Sequence, residues 1–573
     1  MRRVLLSVRD LVASFKLPRS EFRAVDGISF DLCEGETLCI VGESGSGKSV
    51  AARSILQIID FPGRIAGGQI LLNRYAGDAT VPSQTIDIAK LDRTGLPMRM
   101  IRRNDISMIF QEPMSSLSLA HRCGDQIVEA VRLARPEIAR KAAWNQAIEL
   151  LGKMKLHDPE RVARQYPFEL SGGMRQRVMI AMALAGNPRI LIADEPTTAL
   201  DVTTQAEILA LITGLQRSLG LAVIFITHDI GVVANVADRV AVMNCGKIVE
   251  LNDVVPIFSA PQHAYTRMLL ASTLRLESRS PLKRAAEPVV AGPAEAPKPL
   301  LEVRDLAKTF YSAPGIFGRR QHELKAVDQV SFEVFPNEAL GVVGESGSGK
   351  STMARLVVGL HSVTGGSMRY RQSNDTVVEL AGRRRVKRDP LYRDIRMVFQ
   401  DPFSALNPRM SVGQIIAEPL LVNALLSGAA LRERVAELMG LVGLEPKMVE
   451  RYPHAFSGGQ RQRIVIARAI ALNPRLVIAD EATSALDVSL RAQILDLLLD
   501  LQRKLGLSFV FITHDIANIR YFCDRVLVMH HGRIVESGPV HDVLNAPKDP
   551  YTQRLIASAP RPDPAQRRAV TFA

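Results

Sequence analysis

The chain is poor in cysteine and has no long apolar run, and both absences narrow what it can be. Five cysteines, Cys33, Cys39, Cys123, Cys245 and Cys523, are scattered over 573 residues. None forms a C-x-x-C pair, which argues against a zinc site or a redox disulfide and fits a reducing compartment. The same scatter gives no seat for an iron–sulfur cluster. No window of about 18–20 residues is free of charge, so no membrane span is expected; even the apolar stretch from Leu221 is broken by His228 and Asp229. The opening MRRVLLSVRD reaches Arg9 and Asp10 before an apolar h-region develops, so no secretory signal is expected and the cytoplasm is the expected compartment. A role at a membrane would then require partner subunits.

What is present is an ordinary globular composition, 47% hydrophobic and 23% charged, over a length that suits several domains. The net charge of +13 favours phosphate-bearing ligands, nucleic acid or an anionic membrane surface without choosing among them.

The most informative feature is a repeat. VGESGSGKS at 41–49 returns at 343–351, LSGGMRQRVMIAMALAGNPRILIADEPTTALD at 170–201 returns as FSGGQRQRIVIARAIALNPRLVIADEATSALD at 456–487, and IFITHDI at 224–230 returns as VFITHDI at 510–516. Order and spacing are kept, so the chain is one unit written twice. The offset between copies shortens before the glutamines Gln111 and Gln400, which places extra residues of the first copy in the loop region 72–96. Between the copies, residues 273–300 are rich in proline and alanine and read as a semi-extended linker. The domains expected are a first unit at 1–272, this linker, a second unit at 301–560 and a basic tail at 561–573.

Short apolar runs at 38–41, 190–193 and 222–227 each end at a polar loop, with helical stretches between them. That pattern predicts an α/β fold with buried, mostly parallel strands, whose ligands bind at the carboxyl ends of the strands. Gly42, Ser44, Gly45, Gly47, Lys48 and Ser49 follow the first such strand in the G-x-x-x-x-G-K-[ST] pattern, and Gly344, Ser346, Gly347, Gly349, Lys350 and Ser351 repeat it. The glycines let backbone amides face phosphates, the lysine supplies charge at the β/γ position, and the serine can ligate Mg²⁺. Asp194-Glu195 and Asp480-Glu481 place two carboxylates at a strand end. The first can hold the Mg²⁺ shell and the second can polarise an attacking water.

These residues, with LSGGM at 170–174 and FSGGQ at 456–460, resemble the ABC (ATP-binding cassette) ATPases over nearly the whole chain outside the linker. The resemblance implies two tandem P-loop cassettes, each a mainly parallel β-core with flanking helices and a helical subdomain, that bind ATP and Mg²⁺. It implies that Gln111 and Gln400 touch Mg²⁺ and relay to a membrane partner, that His228 and His514 contact the γ-phosphate beside Glu195 and Glu481, and that Asp201 and Asp487 speak across the cassette pair. Phe15 and Phe310 are the candidates for stacking on adenine, with core packing an equal alternative. The signature turns would complete composite sites: Ser457 and Gly459 with the Lys48 cluster, and Ser171 and Gly173 with the Lys350 cluster. The two cassettes would thus pair within one chain rather than as a homodimer, and neither lacks its glutamate or histidine. Met174 in place of glutamine and Ala482 in place of proline depart from the family pattern without removing a phosphate-contacting group.

QDPFSALNP at 400–408, the looser QEPMSSLSLA at 111–120, and the extensions APQHAYTRMLLAS at 260–272 and APKDPYTQRLIAS at 546–558 resemble importers of peptides, nickel, opines and glutathione. That implies two transmembrane permease subunits, an extracytoplasmic substrate-binding protein, and a peripheral place on the cytoplasmic face of the inner membrane, with peptide the expected cargo. Tandem cassettes also act on ribosomes and in DNA repair. The former are joined by a long helical linker, which a proline-broken segment does not form, and the latter carry zinc-binding cysteine sets. The basic runs at 383–388 and Arg567-Arg568 are read as solvated or lipid-facing, and no nucleic acid is expected.

Overall fold

The computed structural model describes residues 2–18, 20–77, 79–112, 116–198, 200–280, 283, 298–311, 323–382, 391–484 and 486–566. The basic runs at 383–388 and 567–568 and most of the 273–300 linker lie outside them. The chain divides into two compact units, one of Met1–Leu200, Thr204–Thr273 and Pro560–Ala573, the other of Asp201–Thr203 and Leu274–Ala559.

The described residues of unit 1 form ten strands: β1 (Val4–Lys16), β2 (Glu21–Cys33), β3 (Thr37–Val41), β4 (Gly63–Arg74), β5 (Gln84–Asp87), β6 (Ile106–Ile109), β7 (Ile190–Asp194), β8 (Ala222–Thr227), β9 (Arg239–Asn244) and β10 (Lys247–Asp253). An antiparallel sheet runs β2-β1-β4-β5, and a six-stranded sheet runs β10-β9-β3-β8-β7-β6. In the latter β6, β7, β8, β3 and β9 are parallel, and only β10 is antiparallel.

Every residue of β3, β7 and β8 is buried, because the six-stranded sheet is covered on both faces and side chains alternate between them. On β3, Leu38 and Ile40 join the core shared with β1 and β2, whereas Cys39 and Val41 join the core shared with the helices. On β8 the same split separates Ile224 and Ile226 from Val223 and Phe225. A two-sided core of this kind needs an unbroken apolar run, which is why these strands read so clearly in the sequence.

Helices Cys123–Ala134, Arg140–Lys153, Pro159–Arg164 and Gly172–Leu184 are inserted between β6 and β7. They pack through Ile127, Val131, Leu151, Val178 and Ile180. After β10, helices Val254–Ser259 and Ala264–Leu276 complete the first copy.

Unit 2 repeats the plan with β11 (Leu301–Tyr311), β12 (Glu323–Val334), β13 (Ala339–Val343), β14 (Gly365–Arg371), β15 (Val377–Glu379), β16 (Ile395–Val398), β17 (Leu476–Asp480), β18 (Ser508–Ile512), β19 (Arg525–His530) and β20 (Arg533–Pro539). Its sheets run β12-β11-β14-β15 and β16-β17-β18-β13-β19-β20. The β4–β5 connection across 75–83 is four residues longer than the β14–β15 connection across 372–376, so it holds part of the first copy's extra residues. Among the described residues, no helix is long and apolar enough to cross a membrane.

Candidate functional site

In the strand order β3-β8-β7-β6, the carboxyl ends carry, in turn, the Lys48 loop, His228, Asp194-Glu195 and Gln111. Parallel neighbours bring those ends to one edge of the sheet, and the side chains meet there.

The loop after β3 wraps around Lys48. Its Nζ donates to the carbonyls of Gly42 at 2.7 Å and Glu43 at 2.8 Å, and to Ser46 Oγ at 3.4 Å. Gly47, at φ +100°, caps helix Lys48–Ile55, and a Cβ there would lie 2.2 Å from the Ala24 carbonyl oxygen. Only glycine fits that left-handed position. Ser44 and Gly45 face solvent, while Lys48 is buried. In unit 2, Lys350 Nζ donates to Gly344 O and Glu345 O at 2.7 Å each and to Ser348 Oγ at 3.3 Å. Gly349, at φ +101°, meets Ala326 O in the same way. Ser346 and Gly347 are exposed, and burial lowers the Lys350 pKa against the pull of Glu481.

Ser49 Oγ donates to Asp194 Oδ1 at 2.9 Å, and Ser351 Oγ to Asp480 Oδ1 at 3.0 Å. The aspartates are 1% and 3% exposed. Burial raises the pKa of both, only partly opposed by the serine hydrogen bonds, and the neighbouring glutamate raises it further.

Glu195 is the hub. Its Oε2 accepts from Gln111 Nε2 and Thr198 Oγ1, each at 2.9 Å, and its Oε1 lies 3.2 Å from His228 Nδ1. Burial works to raise its pKa, but the His228 contact, Thr198 and the Lys48 charge outweigh it and bring it down to about 2. In unit 2, Glu481 accepts from Gln400 Nε2 at 2.7 Å and lies 3.3 Å from His514 Nδ1. Its pKa is lowered, with burial opposing and His514 prevailing.

Two features of the hub escaped the sequence reading. Glu195 and Glu481 both sit at φ +48°, a strained left-handed conformation for glutamate. Their amides are tied to the adjacent strand through Ile226 O at 3.0 Å and Ile512 O at 2.9 Å, which holds the kink. The other is Thr198. Its counterpart Ser484 donates instead to the Glu481 carbonyl oxygen at 3.0 Å, so the two copies differ at this point. The hydroxyl retained in DEPTT and DEATS was the available signal.

Ser171 caps helix Gly172–Leu184 by accepting from Met174 N at 3.3 Å, and Ser457 caps Gly458–Ile470 by accepting from Gln460 N at 3.4 Å. A Cβ at Gly173 would meet Thr204 Cγ2 at 2.5 Å, and one at Gly459 would meet Leu490 at 3.2 Å. Asp201 and Asp487 immediately precede helices Val202–Leu219 and Val488–Leu505. Phe15 is half-buried against the core under β1, and Phe310 is 36% exposed with its ring edge-on to His361 at 5.7 Å. Neither phenylalanine is in the hydrogen-bonded cluster.

A family model described as ABC transporter matches residues 25–198 and 327–484, more than half of the chain. The "Glutathione import ATP-binding protein GsiA" of Salmonella choleraesuis (strain SC-B67) is 46% identical over 587 residues, covering 99% of this chain and 91% of that protein. The chain belongs to the ABC transporter family. The two units are tandem ABC cassettes, and the protein is an ABC-type ATPase. A protein of the same name from Escherichia coli O157:H7 is 46% identical over 580 residues, covering 98% of this chain and 91% of that one. A solved chain described as "Dimeric Structure of MJ0796, a Bacterial ABC Transporter Cassette" is 28% identical, covering 43% of this chain and 98% of that chain with a TM-score of 0.38. A second family model, Oligopeptide/dipeptide transporter, C-terminal region, matches residues 249–298 and 535–573. The helices bearing Tyr265 and Tyr551 lie within those two ranges.

Proposed function

We propose that the chain is the ATP-hydrolysing motor of an importer for short peptides or glutathione, working through two separate transmembrane permease subunits and an extracytoplasmic binding protein. The observation that carries this is the oligopeptide/dipeptide C-terminal match after each of the two ABC cassettes. The relatives named for glutathione import favour glutathione among the peptide cargoes. The protein acts peripherally, on the cytoplasmic face of the inner membrane.

In this reading the loop amides and Lys48 or Lys350 hold the ATP phosphates. Glu195 and Glu481, ionised and oriented by His228 and His514, accept a hydrogen bond from the attacking water and hold it in line. Ser49 with Asp194, and Ser351 with Asp480, would hold Mg²⁺ with the help of Gln111 and Gln400. Buried carboxylates whose pKa is raised suit a cation, which when bound would offset phosphate charge. The signature serines Ser171 and Ser457 present helix N-terminal amides to an anion. Both cassettes on one chain, each with its own signature, favour an intramolecular pair with two hydrolytic sites. In unit 2, a cleft lined by Leu360, Met397, Phe399, Ala405 and Arg468 opens at the residue before Gln400 and suits an apolar segment of a permease.

The test is isolation of the protein from gently solubilised membranes. Recovery with two polytopic subunits and ATP-dependent uptake of labelled glutathione or dipeptide supports the reading. Recovery with ribosomes or nucleic acid and no membrane partner overturns it.

A further inference from the structure

The repeated tyrosine-threonine helix that follows each cassette makes a hydrogen bond to the phosphate loop. Tyr265 lies one residue inside helix Ala264–Leu276, and its hydroxyl accepts the backbone N–H of Glu43 at 3.0 Å. Tyr551, one residue inside helix Pro550–Ser558, does the same for Glu345 at 2.9 Å. Glu43 and Glu345 are the second residues of the two phosphate loops. The contact spans 222 residues in the first copy and 206 in the second, so it is a tertiary contact made twice rather than a local turn.

Each tyrosine is fixed before it reaches the loop. In unit 1 the Glu250 carboxylate accepts from Gln262 N at 2.8 Å and His263 N at 3.0 Å, pinning the turn ahead of the helix. The first helical turn is then tied by Tyr265 N donating to His263 Nδ1 at 3.1 Å. In unit 2 Glu536 accepts from Lys548 N at 2.9 Å and Asp549 N at 3.1 Å, and Asp549 Oδ1 accepts Tyr551 N at 2.8 Å. Both rings are buried, at 8% and 6% exposure, and the His530 ring stacks on Tyr551 at 3.9 Å. A buried aromatic with its backbone capped has little freedom left, so the hydroxyl is presented at a set point.

What it holds matters. The carbonyl of Glu43 accepts from Lys48 Nζ at 2.8 Å and from Ser46 N at 3.2 Å. The carbonyl of Glu345 accepts from Lys350 Nζ at 2.7 Å and from Ser348 N at 3.2 Å. The extension therefore grips one side of a residue whose other side holds the lysine and closes the loop turn. A phosphate cradle works only when its amides already face inward, and freedom in the loop is lost on binding at a cost in affinity.

We propose that Tyr265 and Tyr551 are positioning residues of the two phosphate loops, so that nucleotide affinity in each cassette depends on the C-terminal extension that follows it. The inference rests on the assignment of these loops as the ATP sites.

The test is the full-length chain carrying Tyr265→Phe and Tyr551→Phe, which keeps the rings and removes only the hydroxyls. Equilibrium binding of ATP is read by displacement of a fluorescent ATP analogue, beside the steady-state KM and kcat and the melting temperature. Loss of one neutral hydrogen bond corresponds to roughly a five-fold weakening, so Kd and KM for ATP rise by about that factor while kcat at saturation stays within two-fold. A second variant, Glu250→Gln with Glu536→Gln, releases the turns. It weakens ATP binding in the tyrosine background and adds nothing in the phenylalanine background. Unchanged Kd in the phenylalanine variant, with or without a lower melting temperature, makes the extension a packing element and overturns the inference. Lys48→Ala with Lys350→Ala is the separate control: if that variant still binds ATP, the assignment of the sites is at fault rather than the role of the tyrosines.

Discussion

Two adjacent carboxylates with opposite perturbations define the chemistry at the residue scale. Glu195 has its pKa lowered from 4.5 to about 2, so the stability it contributes is present above about 4.5 and is lost only as pH falls towards 2. It stays ionised wherever the enzyme works, as orienting a water requires. Asp194 has its pKa raised from 3.8 by burial, so the folded state retains a proton that the unfolded chain releases, and stability falls as pH rises through that interval. Asp194→Asn and Asp480→Asn should therefore raise the melting temperature of the protein without nucleotide or Mg²⁺ at pH 7.5, on the order of 2 °C. The gain should shrink as pH approaches 4. Thermal melts across that range check the prediction, and no gain at pH 7.5 would mean that Lys48 and Arg53 already compensate the charge. Glu195→Gln and Glu481→Gln keep the hydrogen-bonding shape but remove the charge. Each should slow hydrolysis at its own site by roughly 10²-fold or more, cutting phosphate release per chain by nearly all of that site's share. A variant with wild-type turnover would remove that site from the hydrolytic set.

At the scale of elements, the signature helices show how one substitution loosens a joint. Ser457 and Gln460 form a reciprocal cap, with Gln460 Oε1 accepting Ser457 N at 3.1 Å while Ser457 Oγ accepts Gln460 N. Met174 lacks that acceptor, so the first helix keeps only the serine half of the box. Met174→Gln should restore it and stabilise unit 1 by about 0.5 kcal/mol, visible as a shift of the corresponding transition in denaturant. The elements legible in the sequence were those with a single constraint. β3, β7 and β8 lie in a sheet covered on both faces, and they appear as unbroken apolar runs. The phosphate loops are dictated by glycine chemistry at positions such as Gly47. What stayed hidden depends on two distant segments meeting. The left-handed kink at Glu195 exists because its amide reaches Ile226, and Glu43 is held by a tyrosine from beyond the cassette. No local pattern records either. Phe15 and Phe310 show the reverse case, an aromatic near the right place in sequence whose packing is not announced by its identity.

At the scale of the whole molecule, duplication places both halves of the machinery on one chain. Two copies with the same lysine, serine, aspartate, glutamate, glutamine and histidine connections are retained on one polypeptide, joined through the proline-rich segment at 273–300. A segment of that length reaches at roughly 3.3 Å per residue, far enough to cross a domain face. Covalent connection also sets the local concentration of one cassette near the other in the millimolar range, whatever the bulk concentration. If the working pair is intramolecular, turnover per chain should be independent of protein concentration from nanomolar to micromolar. Pairing between chains would instead make specific activity fall on dilution. The variants sharpen the test. Lys48→Ala and Lys350→Ala should each leave well under half of the wild-type turnover when the two sites close together, and mixing the two variant proteins should restore nothing, because each chain already holds its own partner. Rescue on mixing would show that cassettes of different chains exchange, and would move the functional unit from the single chain to a dimer of chains.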